Sequence, residues 1–467
     1  MAEAERYERL FEGFKRAGQE HVFGGWGDLD GPRRKAFLDR LEGVDPGLFE
    51  VVEGAKEGGE ALAEDVEIGD LPVVSVPETE AEAGRWAEAR RAGEEALRSG
   101  RVGAFLAAGG QGARLGFEGP KGTFPIGPVT GRTLFHLYAE AILARVRRHG
   151  SPVPWLVMTS EENHAETEAF FRDRGFFGVP EGDIRFLPQR MLPAFSPEGK
   201  ILLQEKDRLF MNPDGHGGAL RVLCEGGGLS WFRERGVDTL FYFQVDNPLL
   251  PVLDPAFLGH HFLEGSQFST KVVSKTGPEE KMGVFAVVDG TLRVVEYIHL
   301  PASLSGRRDA SGRLLFWAGN MAVHVIDLSF VERFRGEIAL PFHVARKPAT
   351  VLDASGGRAE AEALKLETFI FDAIPLAERS LLVEAVREEA FAPVKAAEGT
   401  DTPARARRMM TAKAARWLAG AGASVPRDES TGAPAHPIEL SPLTALEAED
   451  LVGRVSRTLT VNGPTVL

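Results

Sequence analysis

Phe105-Leu-Ala-Ala-Gly-Gly-Gln-Gly-Ala-Arg-Leu-Gly-Phe-Glu-Gly-Pro-Lys121 places an apolar run, closely spaced glycines, an arginine and a lysine in one stretch. The run Val102 to Ala107 reads as a strand that delivers the chain to a sheet edge. There, Gly109, Gly110 and Gly112 permit positive φ and let backbone N–H groups approach an anion. Arg114 and Lys121 supply positive charge, so the stretch reads as a phosphate cradle. Two better-known phosphate loops fail on spacing. The dinucleotide fingerprint Gly-x-Gly-x-x-Gly, counted from Gly110 and Gly112, puts Leu115 where its third glycine belongs. The Walker pattern needs Gly-Lys-Ser/Thr, whereas Pro120 precedes Lys121 and Gly122 comes after it.

A chain of 467 residues is long enough for two or three domains, because single cores stop growing near ~250–300 residues. With 43% apolar and 26% charged residues the composition is that of a globular protein, and no apolar run approaches the roughly 20 residues of a membrane span. The start lacks the basic and apolar regions of a secretory signal, so a cytoplasmic location is expected. Cys224 is the lone cysteine, which excludes an intrachain disulfide and a cysteine-based zinc cluster, and it reads as a small buried residue. A net charge of −14 argues against a nucleic-acid surface, though a small phosphate ligand needs only a few local cations.

The chain divides into three expected domains. Residues 1–98 read as a mainly helical lobe, with Tyr7, Leu10, Phe11 and Phe14 at helical spacing and an acidic segment from Glu53 to Glu95. Residues 99–394 alternate apolar strands with helix-length segments, the pattern of a parallel sheet covered on both faces. Its strands are expected at Val102–Ala107, Val153–Thr159, Thr239–Gln244 and Ser269–Ser274. A covering helix from Leu134 to Arg148 turns Leu134, Leu137, Tyr138, Ala141 and Ile142 inward and leaves Glu140, Arg145 and Arg148 for water. Residues 395–467 form a small C-terminal domain with a helix from Pro403 to Leu418 and β-like runs.

Ligands of open α/β sheets collect beyond the carboxyl ends of the strands, which directs attention to three places. One is the glycine loop. Another is Asp246-Asn247, directly after the apolar run Leu240 to Val245, where a carboxylate can hold Mg²⁺ together with phosphate oxygens and water. A helix cap or turn acid is the plain alternative for Asp246. The last is Asn212-Pro-Asp-Gly-His-Gly-Gly218, whose glycines allow a flat ring to lie against the backbone before the apolar segment Ala219 to Phe232. His216 bonds either a ligand or its own turn, and Asp214 shapes the turn.

With these motifs in order, the sequence resembles the UDP-sugar pyrophosphorylases, and among them the UDP-N-acetylhexosamine pyrophosphorylases. The resemblance runs along almost the whole chain: Ala17-Gly-Gln-Glu-His21, the glycine loop, Met191-Leu-Pro-Ala, Pro213-Asp-Gly-His-Gly-Gly, Val245-Asp-Asn, Lys271-Val-Val-Ser-Lys-Thr, Val295-Glu-Tyr, Gly319-Asn, Leu340-Pro-Phe-His-Val and Phe391-Ala-Pro-Val-Lys395. It implies a Rossmann-like, GT-A-like nucleotidyltransferase domain of the α/β class, with a mixed, mainly parallel sheet. It also implies a reaction of UTP with a sugar 1-phosphate, N-acetylglucosamine 1-phosphate first, giving a UDP-sugar and pyrophosphate with Mg²⁺. By position, Gly109, Gly110, Gly112, Arg114 and Lys121 would hold the triphosphate, and Lys395 would reach back to the phosphates. Gln189 would read the uracil, helped by Ala107 and Gly218, and Asp246 would bind the metal. Gly283, Glu296, Asn320, Asn247 and Phe371 would face the sugar. Ala113 stands where many relatives have threonine, and His216 is more reminiscent of the glucose 1-phosphate enzymes, so glucose 1-phosphate or several sugars is the alternative substrate range. Outside the enzymes, a non-catalytic nucleotide-sugar binding protein is the alternative.

Overall fold

Short apolar runs become the strands of an eleven-stranded sheet. In chain order these are β1 (Ile68–Gly69), β2 (Val73–Val74), β3 (Val102–Ala107), β4 (Trp155–Thr159), β5 (Ile184–Pro188), β6 (Thr239–Gln244), β7 (Phe268–Ser274), β8 (Val284–Val288), β9 (Thr291–Val295), β10 (Ala318–Asp327) and β11 (Ser380–Glu384). The computed structural model describes residues 3–55, 62–336, 338–353, 356–456 and 458–467. Of the acidic segment from Glu53 to Glu95, residues 56–61 therefore lie outside the described residues.

The main path runs β2-β11-β7-β10-β6-β3-β4-β5. All neighbours on it are parallel except β10, which is antiparallel to both β7 and β6. β8 joins β10, β9 and β1 as an antiparallel annex. The sheet is thus mixed and mainly parallel. β3, β4 and β6 are buried almost throughout, as expected of strands with both faces covered. The expected strand at 153–159 begins at Trp155, and that at 269–274 begins one residue early, at Phe268.

Among the helices are α1 (Glu80–Arg98), α2 (Leu134–His149), α3 (Pro255–Leu263) and α4 (Pro403–Gly420). Thr133 caps α2 by accepting from the His136 N–H at 3.3 Å, and left-handed Gly150 ends it. Its apolar stripe is buried as expected, but two of the three polar residues assigned to water are not exposed. Glu140 is 4% and Arg145 1% exposed. C-terminal residues cover that face: Ser441 donates to Glu140 at 2.9 Å, and Arg145 pairs with Glu447 at 2.8 Å. Arg90 and Arg148 also converge on Glu447, and against the penalty of burial these three arginines hold its carboxyl below the usual range. The segment Ala219 to Phe232 forms two helices, Gly218–Cys224 and Gly228–Arg233, because left-handed Gly227 (φ 77) interrupts it.

Contacts group the chain into two units. One joins Met1–Ala61, Gln189–Gly218 and Ala339–Asp372, and the other holds Leu62–Pro188, Ala219–Ile338 and Ala373–Leu467. In the first, helices Glu3–Arg16 and Gly31–Glu42 share a core with Phe195, Leu364 and Leu366, the latter two on an antiparallel hairpin of Phe342–Leu352 with Arg358–Thr368. That core draws on residues on both sides of the expected boundary at 98. The second unit contains the whole sheet, α1 and the C-terminal segment, whose own apolar cluster includes Leu418, Ile438 and Val461.

α1 and α3 cross in backbone contact. A Cβ on Gly93 would lie 1.9 Å from the Pro255 carbonyl oxygen, and one on Gly259 would lie 1.6 Å from that of Ala89. Gly259→Ala must push the helices apart and is expected to cost about 1–3 kcal/mol or more, measured by urea unfolding. Gly84→Ala, on the same helix α1 in open space, is the matched control and is expected to be neutral or stabilising by up to about 1 kcal/mol.

Candidate active site

Parallel β3 and β6 run side by side with Ala107 opposite Gln244. Their next residues leave the sheet at the same end, so the glycine loop and Asp246 emerge together. β3 has β4 on its other side, and the chain steps β3-β4-β5 outward before returning to β6. This reversal of strand order opens a crevice at the carboxyl ends, where such sheets bind ligands. The Val245 N–H donates to the Ala107 carbonyl at 3.1 Å, so Ala107 holds the two exits in register.

The glycine loop is closed by two backbone bonds, Lys121 N–H to Gly110 O at 3.0 Å and Gly112 N–H to Gly119 O at 2.9 Å. Positive φ does not fall on Gly109, Gly110 or Gly112, as the sequence reading expects. It falls on Gly116 (φ 66) and Gly119 (φ 111), where the chain leaves a short 3₁₀ turn and reverses toward Lys121. Among the described residues, the N–H groups of Gly109, Gly110 and Gln111 have no protein acceptor. Three consecutive donors at the end of a parallel strand are what an anion requires.

Charge surrounds these donors. Lys121 Nζ lies 3.5 Å from Asp246 Oδ2, both side chains being mostly covered. Arg114 is exposed and, among the described residues, its guanidinium has no ion-pair partner. Among the described residues no three His, Cys, Asp or Glu side chains converge, and the carboxylate beside Lys121 is that of Asp246. One such carboxylate fits Mg²⁺ that takes its remaining ligands from phosphate oxygens and water.

The segment 390–401 straps the two exits together. Val394 N–H donates to the Asp246 carbonyl at 2.8 Å and Ala397 N–H to the Arg114 carbonyl at 2.9 Å. Asn247, 3% exposed, spends its amide on this strap, donating to Ala390 O at 2.8 Å and accepting from Ala392 N–H at 3.0 Å. Lys395 comes next, with its ammonium 3.4 Å from the Asp401 carboxylate. Beneath Asp246, Tyr138 donates to the Val245 carbonyl at 3.1 Å. Burial, reinforced by the charge of Asp246, holds its phenol well above the usual value, so the hydroxyl keeps its proton.

Gly283, Glu296 and Asn320 meet at the same end of the sheet, where antiparallel β10 begins. Asn320 N–H donates to Gly283 O at 2.9 Å, and its side chain accepts from Ala322 N–H at 2.8 Å. The Glu296 carboxylate lies against the bare Cα of Gly283, 2.7 Å from where a Cβ would sit. Gln189, Gly218 and Phe371 belong to the other unit, where bonds between their neighbours gather them. The carbonyl of Arg190, next to Gln189, accepts from Asp214 N–H at 3.1 Å, and Gly217 N–H donates to Thr368 O at 2.8 Å. His216 accepts from Ile370 N–H at 3.3 Å, stacks on Phe369 and lies 5.5 Å from the Phe371 ring. Its Nδ1 thus bonds the 368–371 segment, where the sequence left open a ligand or its own turn. Cys224 donates to Val331 O at 3.3 Å, and burial pushes its thiol up to about 11, which removes it as a nucleophile. Lys271 of the Lys271-Val-Val-Ser-Lys-Thr motif pairs with Asp254 at the cap of α3, a structural use.

One residue escaped the sequence reading. Asn163 is fully buried in the turn after β4; it accepts from Ser160 N–H at 2.9 Å and donates to the carbonyls of Ala108 at 3.0 Å and Gly110 at 3.4 Å. It pins the glycine loop from the side opposite Asp246. Its place just beyond the carboxyl end of a parallel strand is the signal that could have found it.

The family described as UTP–glucose-1-phosphate uridylyltransferase matches residues 87–441 of this chain. UDP-N-acetylhexosamine pyrophosphorylase-like protein 1 of Homo sapiens is 34% identical over 94% of this chain and 92% of its own length. UDP-N-acetylglucosamine diphosphorylase 2 of Arabidopsis thaliana is 33% identical over 96% of this chain and 91% of its own. Among solved structures, the uridine diphosphate N-acetylglucosamine pyrophosphorylase of Trypanosoma brucei in complex with inhibitor superposes with a TM-score of 0.79 at 26% identity, covering 97% of this chain and 95% of that one.

Asn163→Ala removes the lateral support of the loop and leaves the carbonyl of buried Ala108 without this donor, a loss of about 1–3 kcal/mol. The expected result is a lower midpoint in thermal unfolding together with weaker binding of inorganic pyrophosphate, used as a probe anion, by calorimetry. A variant that keeps the parent's affinity for it would show that the loop holds its shape without this amide.

Proposed function

Because this chain belongs to the UTP–glucose-1-phosphate uridylyltransferase family, we propose that it makes UDP-N-acetylglucosamine and pyrophosphate from UTP and N-acetylglucosamine 1-phosphate. It is a uridylyltransferase of the UDP-sugar pyrophosphorylase kind. The observation that carries the reaction is the register of β3 with β6, which brings the glycine loop, with three N–H groups that have no acceptor among the described residues, to the same end of the sheet as Asp246, 3.5 Å from Lys121. The choice of amino sugar is supported by two relatives of Arabidopsis thaliana named for UDP-N-acetylglucosamine, each matched along more than nine-tenths of the chain.

The chemistry suits these residues. A sugar phosphate is already an anionic nucleophile: its oxygen attacks the α-phosphorus of UTP, and the bond to the β-phosphate bridging oxygen breaks, so no general base is needed. Positioning and charge neutralisation carry the rate. Loop N–H groups, Arg114 and Lys121 neutralise charge on the departing pyrophosphate, and Lys395 joins them when it leaves Asp401. Mg²⁺ held by Asp246 would neutralise phosphate charge. Gln189, Gly218 and Ala107 are assigned to uracil, and Gly283, Glu296, Asn320 and Phe371 to the sugar. Asn247 contributes by holding the 390–392 strap.

Pyrophosphate release from UTP, Mg²⁺ and a panel of sugar 1-phosphates tests this reading. The highest kcat/KM is expected with N-acetylglucosamine 1-phosphate, and a large preference for glucose 1-phosphate would overturn the sugar assignment. Asp246→Asn is expected to raise the Mg²⁺ concentration needed for half-maximal rate and to lower kcat about 100-fold or more, the scale of losing one electrostatic contact to the transition state. An unchanged Mg²⁺ titration would remove Asp246 from the metal site.

A further inference from the structure

A second concentration of positive charge lies on the C-terminal helix and the turn region beyond it. Arg405, Arg407 and Arg408 of α4, with Arg427 and His436 from the turn region beyond it, line a groove of about 570 Å³. Among the described residues no Asp or Glu lines this groove. In a chain with 68 acidic against 54 basic residues, that separation of sign makes a local positive field. Three of the arginines are fixed by the backbone: Arg407 donates to Pro125 O at 2.7 Å, Arg427 to Gly432 O at 2.8 Å and Arg405 to Thr400 O at 3.2 Å. Each guanidinium has five N–H donors, so these bonds leave most of them for a ligand. Arg408 is exposed and, among the described residues, has no hydrogen-bond or ion-pair partner.

Two nearby carboxylates already have partners. Ser430 and Thr431 wrap Asp428 and hold its carboxyl down to about 2. Asp401 sits between Lys395 at 3.4 Å and Arg405 at 3.7 Å. Through it, a groove arginine and the lysine assigned to the phosphates share one counter-ion.

We propose that this groove is a second anion site, taking a small phosphorylated molecule of nucleotide size, and that it acts on the phosphate loop through Arg405, Asp401 and Lys395. The volume falls within the ~300–1,000 Å³ of small-molecule sites, and planar guanidinium forks match phosphate oxygens. A bound anion draws Arg405 away from Asp401, which then holds Lys395 more firmly and off the UTP phosphates. The binding half stands alone, whereas the coupling half rests on the role proposed for Lys395.

ATP serves as the probe, titrated by calorimetry into the full chain. Binding is expected to survive in Asp246→Asn and to weaken about 10-fold or more in the double variant Arg408→Glu/Arg427→Glu, the effect of losing charge-assisted hydrogen bonds. Arg408→Gln/Arg427→Gln, with an unchanged thermal midpoint, should weaken it less and guards against misfolding. Absence of ATP binding to the parent, or equal binding to the double variant, overturns the site. In turnover assays ATP is expected to raise the KM for UTP in the parent and not in the double variant. A rise that persists in the double variant arises at the UTP site and overturns the coupling, as does no rise in the parent.

Discussion

The parallel pairing of Val102–Ala107 with Thr239–Gln244 is the constraint on which the rest of the site depends. Parallel neighbours must start and end at the same edges of a sheet, so the residues that continue from both strands share one end. Here those residues are a loop with N–H groups that have no acceptor among the described residues, and a carboxylate. A one-residue slip would turn the buried side chains of β6 to the opposite face and shift Asp246 along the edge. The bond from the Val245 N–H to the Ala107 carbonyl carries the ladder past the strand ends in the observed register.

Around this pair the protein uses buried amides and backbone to hold charged groups that themselves stay near water. Asn163 fixes the glycine loop from the β4 side, Asn247 fixes the 390–392 strap, and Tyr138 supports the Val245 carbonyl. The strap then ties Asp246 and Arg114 through Val394 and Ala397. Lys121, Asp246 and Arg114 need little support from their own side chains, because the backbone that carries them is held on three sides. Such preorganisation suits a reaction whose rate comes from placement and electrostatics more than from proton transfer.

Four of the eleven strands, the covering helix α2 and the two carboxyl-end loops were legible in the sequence. Short apolar runs with turn residues after them mark buried parallel strands, and the stripe of Leu134, Leu137, Tyr138, Ala141 and Ile142 marks the helix. What was misread has one cause, contact between residues far apart in the chain. Glu140 and Arg145 look like solvent-facing helix positions until residues 438–450 cover them. Asn163 looks like any turn asparagine until its amide is seen on the Ala108 and Gly110 carbonyls. The linear division at 98 and 394 has no means of pairing Leu10 with Phe195 and Leu364 in one core.

By itself the sequence determined the class of fold, four strands of its central sheet and the residue types of a phosphate-binding loop with a nearby carboxylate, since local periodicity and turn chemistry depend on neighbours a few residues away. Only the tertiary structure decided where left-handed backbone falls in that loop, Gly116 and Gly119 in place of Gly109, Gly110 and Gly112. It also decided that Lys395 meets Asp401, that Asn247 serves the strap and that four arginines line a groove free, among the described residues, of carboxylates. Each of these depends on hydrogen bonds or charge contacts set by how separate segments pack, and packing at a distance leaves no local signature in the chain.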